Sequence, residues 1–153
     1  YKMRSDVLNS SSSKYGRVPE VYNVSTQTAN FSAVDGYVYV ITKLDGCAVT
    51  LPAPTVGAKI KIIFDGATSN SHTVTSDAST TLFEGWAMMS DTADQTAAAM
   101  ENFVADESND RVITLNRTTT GLSGKITLVG ISTARWYVEA EIQSNGDAAT
   151  PFS

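Results

Sequence analysis

The stretch that decides the fold runs from Gly36 to Thr75, GYVYVITKLDGCAVTLPAPTVGAKIKIIFDGATSNSHTVT. It reads as four short strands separated by turn signals. Tyr37 to Ile41 is a β-branched and aromatic run, a composition that suits a pleated, half-buried surface. Asp45-Gly46 is a turn dipeptide. It delivers Cys47 to Leu51, in which Cys47, Val49 and Leu51 alternate with smaller or polar residues. Pro52 and Pro54 end that strand, because neither can donate to a sheet ladder. From Lys59 to Phe64, Ile60, Ile62 and Phe64 share one face while Lys59 and Lys61 take the other. Asp65-Gly66 turns the chain again, toward His72 to Thr75.

Working outward, Val21 to Phe31 alternates loosely and reads as the first strand. Thr80 to Ser90 carries Leu82, Phe83, Trp86, Met88 and Met89, with Trp86 expected in the core or at a subunit interface. Met88 and Met89 cannot both face one core if the segment is extended, so one of them belongs on a contact surface, where flexible methionine adapts well. Arg111 to Asn116 and Lys125 to Ile131 are further strands. Trp136 to Gln143 alternates most cleanly, with Trp136, Val138, Ala140 and Ile142 inward and Tyr137, Glu139, Glu141 and Gln143 outward. Thr92 to Met100, with Ala97-Ala98-Ala99 and Asp91 as a cap, is the one helix candidate. About eight short strands, bounded by Gly, Pro, Asn and Asp turns at spacings of roughly 8–12 residues, predict an all-β chain: an antiparallel β-sandwich or barrel.

Three parts are expected: an extended N-terminal arm over 1–18, a β domain over 19–146, and a loose C-terminal tail over 147–153. The arm contains Asn9-Ser10-Ser11-Ser12-Ser13, which has no periodicity and little to pack. Lys2, Arg4, Lys14 and Arg17 outnumber Asp6 there, so a basic arm sits on an acidic body. It reads either as a frayed terminus or as a tether that orders against an acidic partner surface or a neighbouring subunit.

A chain of 153 residues suits one domain and buries enough surface to fold without staples. The single cysteine, Cys47, excludes an intramolecular disulfide. A net charge of −5 and a pI near 4.7 argue against a nucleic-acid partner, which calls for a clustered basic face. No apolar run approaches the ~18 residues of a membrane-spanning helix, so no membrane partner is expected. Tyr1-Lys2-Met3-Arg4 leads into no secretory apolar run, and a start at Tyr rather than Met reads as loss of an N-terminal piece.

The search for chemistry returns little. His72 is the only histidine, so a zinc site would need Cys47 and carboxylates, and no motif spacing supports one. A Cys47–His72 nucleophile pair is conceivable, but Cys47 lies on the inward face of its strand, where a thiol behaves as a small hydrophobe. Asp106 to Asp110 lacks the central Gly and distant Glu of a calcium loop and reads as a solvated turn. Gly121 to Lys125 fails as a phosphate loop, because Thr119 stands where the first Gly belongs and Ile126 where Ser or Thr must hold magnesium. Glu139 and Glu141 share a strand face and read as solvated rather than as a catalytic pair. The sequons at Asn9, Asn23, Asn30 and Asn116 are what a Ser/Thr-rich chain produces by chance. No enzyme activity, cofactor or metal is expected.

Three segments together carry a resemblance. The corner Thr50-Leu51-Pro52-Ala53-Pro54-Thr55-Val56-Gly57 leads into an I-x-I-I-F-D-G strand; Phe83 to Asp91 has the form G-x-x-x-M-x-D; and Lys125 to Gly130 is followed by Arg135-Trp136-Tyr137-Val138. In this order they resemble a module of tailed-bacteriophage virion proteins, found in head decoration (cement) proteins and some fibre-base proteins. The likeness covers residues 36–142. Tyr1 to Phe31 lies outside it, and Ser90 to Arg111 is longer and more acidic than its counterpart. The resemblance implies a non-enzymatic virion structural protein, made in the host cytoplasm, that binds the major capsid protein as a homotrimer and stabilises the capsid surface by many modest contacts. The partner-facing residues would be Lys2, Arg4, Lys14 and Arg17 of the arm, with Trp86, Met88 and Met89. The alternative is a tail-fibre module that binds a carbohydrate or receptor, with Tyr137 and Tyr39 stacking on sugar rings.

Overall fold

The structure, a computed structural model, describes residues 23–67, 69–91, 100–106, 108–117, 119–146 and 148–153. The N-terminal arm, with Lys2, Arg4, Lys14 and Arg17, lies outside the described residues, as does the helix candidate except for Met100. Among the described residues the chain is all-β, with eleven strands and no helix. They are β1 Asn23–Gln27, β2 Phe31–Ser32, β3 Tyr37–Ile41, β4 Ala48–Thr50, β5 Lys59–Asp65, β6 His72–Thr75, β7 Leu82–Asp91, β8 Met100–Ala105, β9 Val112–Leu115, β10 Ser123–Ser132 and β11 Arg135–Ser144. All four strands read in the opening stretch form, as β3 to β6. The expected first strand is split in two, and β8 is one that sequence reading did not assign.

The strands lie in a seven-stranded sheet of order β1-β3-β5-β10-β11-β7-β8 and a four-stranded sheet of order β2-β4-β6-β9. From β1 to β6 the chain crosses between sheets at every step, so neighbours within each sheet are parallel: β1 with β3, β3 with β5, β2 with β4, and β4 with β6. The β11–β7 pair is also parallel, while β10–β11, β10–β5, β7–β8 and β6–β9 are antiparallel. This corrects the expectation of a purely antiparallel fold. Asp45-Gly46 and Asp65-Gly66 look like hairpin turns, yet each carries the chain out of one sheet and into the other. Parallel neighbours need a long crossover. Here that crossover is a strand of the opposite sheet.

One core serves both sheets. Ile60, Ile62, Phe64, Ile126, Leu128, Trp136, Val138 and Ile142 of the larger sheet belong to the same buried cluster as Val49, Val74, Ile113 and Leu115 of the smaller. Lys59 and Lys61 are half-buried and Glu139 and Glu141 exposed on the opposite face, as the alternation requires. The Pro-rich corner is clamped onto the closing hairpin. Gly57 N–H donates to Gly130 O at 2.8 Å, and Gly130 N–H to Ala58 O at 2.8 Å. A side chain at Gly130 would overlap Thr55 O, so the approach requires glycine. Trp136 Nε1–H reaches Pro52 O at 3.3 Å from the other side.

The end of the chain is not loose. Phe152 is buried and bridges Ile113, and Thr114 N–H donates to Pro151 O at 2.8 Å. Arg111 and Val112 N–H both donate to Ser153 O at 2.8 Å, and Ser153 N–H returns a bond to Val112 O at 3.0 Å. Residues 151–153 thus cover the free edge of β9. A segment this short shows no periodicity, which is why it reads as a tail.

Candidate interaction surface

The core side chains of the seven-stranded sheet fill one of its faces. The opposite, outer face carries the other half of each alternation. On β7 that half is Glu84, Trp86, Met88 and Ser90, and the antiparallel partner β8 sets Val104 beside Trp86, Asn102 beside Met88 and Met100 beside Ser90. Trp86 is half-buried here, and Met88 is 36% exposed. Met100 and Val104 are 62% and 69% exposed. Trp86, Met88, Met100 and Val104 therefore form an apolar strip at the β8 end of the sheet. Flexible thioethers and an indole suit contact with another protein surface.

Met89 is corrected. It points into the core at 0% exposure and cannot touch a partner. Period-two geometry sends neighbouring residues to opposite faces, so only one methionine of the pair reaches the surface, and that one is Met88. Met100 and Val104 were missed in the sequence, because Ala97-Ala98-Ala99 draws the eye toward a helix that ends at Met100. The signal was present in Met100, Asn102 and Val104, three alternate positions of one strand.

Beside the strip an open hollow of about 480 Å³ is lined by Met88, Ser90, Met100, Lys125, Glu141 and Gln143, among others. Its floor is polar and paired. Lys125 Nζ lies 2.9 Å from Glu141 Oε2, and Ser123 Oγ–H donates to Gln143 Oε1 at 2.9 Å. An apolar strip edged by satisfied polar groups is the layout of a protein contact. Of the two tyrosines suggested for stacking on sugar rings, Tyr39 is corrected: it is buried, stacked on Tyr37 at 5.6 Å between centroids, and its hydroxyl accepts from Val34 N–H at 2.7 Å. Tyr137 is half-buried on the outer face, opposite Val129 and Glu84.

Cys47 and His72 do come together, but both are tied to backbone. His72 is fully buried. Its Nδ1 accepts from Cys47 N–H at 3.0 Å, which leaves the proton on Nε2 to donate to Asp65 O at 2.8 Å. Cys47 Sγ contacts Ala29 O at 3.2 Å, and burial pushes the thiol pKa up. Neither ring nitrogen is placed to take the thiol proton. The ring instead links the end of β5 in one sheet to the entry of β4 in the other.

The remaining motifs resolve as structure. Asp106 Oδ1 accepts from Ser108 N–H at 2.8 Å and Ser108 Oγ–H at 2.6 Å, and these bonds hold its carboxyl below the ordinary range. Asp110 Oδ2 accepts from Asp106 N–H, which closes the turn. Ser123, Gly124 and Lys125 of the phosphate-loop lookalike are already in β10. Among the described residues no three His, Cys, Asp or Glu side chains gather to hold a metal ion. Compared with known proteins, the chain matches no family model, and no curated sequence or solved structure shows significant similarity to it.

Proposed function

We propose that this chain is a bacteriophage decoration protein: a non-enzymatic, oligomeric β-sandwich that binds the outer surface of a capsid built from the major capsid protein, and stabilises it. One observation carries the reading. The three segments on which the virion-module resemblance rests are far apart in sequence, yet they form one block. The I-x-I-I-F-D-G strand is β5, the closing hairpin is β10 and β11, the G-x-x-x-M-x-D segment is β7, and these are consecutive in the order β5-β10-β11-β7. The Pro-rich corner is bonded to Gly130 and Trp136 of that hairpin. A resemblance made of scattered turn and strand vocabulary has no reason to converge in this way. The exposed strip of Trp86, Met88, Met100 and Val104 supplies a surface for protein contact. The basic arm, with Lys2, Arg4, Lys14 and Arg17, supplies a second contact on the capsid or an adjacent subunit.

The test is binding to capsids stripped of decoration, scored by occupancy and by resistance to heat. The full chain is expected to saturate a regular set of sites and to raise the temperature at which capsids rupture. Removal of Tyr1 to Val18 should weaken both effects. A full chain that ignores capsids and retains a glycan would replace this reading with the tail-fibre module.

A further inference from the structure

We infer that the two open edges of the seven-stranded sheet are partners for one another: β8 of one copy receives β1 of the next, head to tail, and the contacts close into a ring. Among the described residues β1 and β8 each have a strand neighbour on one side only. Unpaired edges invite pairing unless they are blunted by charge, proline or a covering segment. The smaller sheet follows that rule at β9, which residues 151–153 cover. Among the described residues the larger sheet has no such cover. Its edges are five and six residues long, and the one charged side chain between them is Glu101.

Matching goes beyond length. Val24 on β1 is 71% exposed and sits in register with Val38, and Val38 with Lys61, on the outer face. Met100 and Val104 of β8 are exposed on that same face. Following the pairings across the sheet, β1 and β8 run in opposite directions. A rotation about an axis along the strands keeps that relation. The β1 of a second copy therefore meets β8 antiparallel, with Val24 in the apolar row of Met100 and Val104. Charge favours the same contact. Residues 1–22, which lead directly into β1, hold four basic and two acidic side chains; of the chain's net −5 this leaves −7 on the remaining residues. A copy that docks by β1 delivers a basic segment onto an acidic neighbour. Such a heterologous contact closes into a ring when its rotation divides the circle. This inference shares with the capsid reading only the expectation of an oligomer, and its test uses no capsid.

The experiment is light scattering on the full chain and on Val24→Lys and Val104→Lys, with circular dichroism as the control for folding. The native chain should run as a closed oligomer, each variant alone as a monomer, and an equal mixture of the two as a dimer, because one sound β1 and one sound β8 remain between them. Should Val24→Lys lower the thermal midpoint, Thr26→Lys on the same exposed edge takes its place. A native chain that stays monomeric overturns the inference. So does a β1 variant that keeps the native size, since that places the contact elsewhere or makes it β8 against β8.

Discussion

The first half of the molecule, β1 to β6, winds between the two sheets and pairs in parallel at every contact within itself. The second half, β7 to β11, contains the two hairpin-like antiparallel pairs, β7–β8 and β10–β11. Both halves show the same alternation of apolar and polar residues. They are nevertheless held together differently. The winding half is cross-linked by His72, whose ring joins backbone of β5 to backbone at the start of β4. The second half relies on close backbone approach: a side chain at Gly85 would strike the Val138 backbone of the parallel neighbour β11. A period-two pattern therefore reports which face is buried, and it is silent on the direction and identity of the neighbour.

The largest effect that can break this contrast is Gly85→Ala. Gly85 has a φ of +127°, and its missing Cβ would overlap Val138 O and N, which are backbone and cannot swing away. Strain and overpacking together should cost about 4 kcal/mol, read as a lower urea midpoint. A loss below about 1 kcal/mol would show that the β7–β11 approach is looser than described.

His72→Ala tests the other half. It leaves Cys47 N–H and Asp65 O without their partner in a buried site, at a cost of about 3 kcal/mol. The shape of the transition is as informative as its midpoint. A single unfolding step means that the two halves melt as one cooperative unit around their shared core. Separate steps by fluorescence of Trp86 and Trp136, both in the second half, and by circular dichroism mean that the winding half melts alone.

Removing residues 151–153 should cost less, about 2 kcal/mol, because water replaces part of what β9 loses while the burial of Phe152 is lost outright. The truncated chain should also aggregate faster, since β9 becomes an open edge. Unchanged stability and solubility would return these residues to the status of a tail.

The smallest effect lies in the turn at Asp106. Its folded pKa is below the unfolded value, so the stability it contributes is present above the ordinary carboxylate pKa and lost as pH falls through the folded one. Asp106→Asn should flatten the acid limb of the thermal midpoint and leave neutral stability nearly unchanged. An unaltered acid limb would place that dependence on other carboxylates.

The sequence by itself determined the inside and the outside. Ile60, Ile62, Phe64, Trp136, Val138 and Ile142 are core and Glu139 and Glu141 are exposed, because period two is a local property of an extended backbone and needs no knowledge of the neighbour. It also determined that only one of Met88 and Met89 could face outward. Tertiary structure decided everything that depends on who lies next to whom. A strand buries the same residues whether its neighbour runs with it or against it, so no local pattern revealed that Asp45-Gly46 and Asp65-Gly66 lead into the opposite sheet. The same holds for His72, legible as a lone histidine but turned into a bridge only by the β4–β5 juxtaposition. It holds too for Pro151 to Ser153, which have no structure to read until β9 offers an edge. Trp86, Met88, Met100 and Val104 become one surface only when β7 and β8 pair, since hydrogen bonding between strands, not spacing along the chain, brings them side by side.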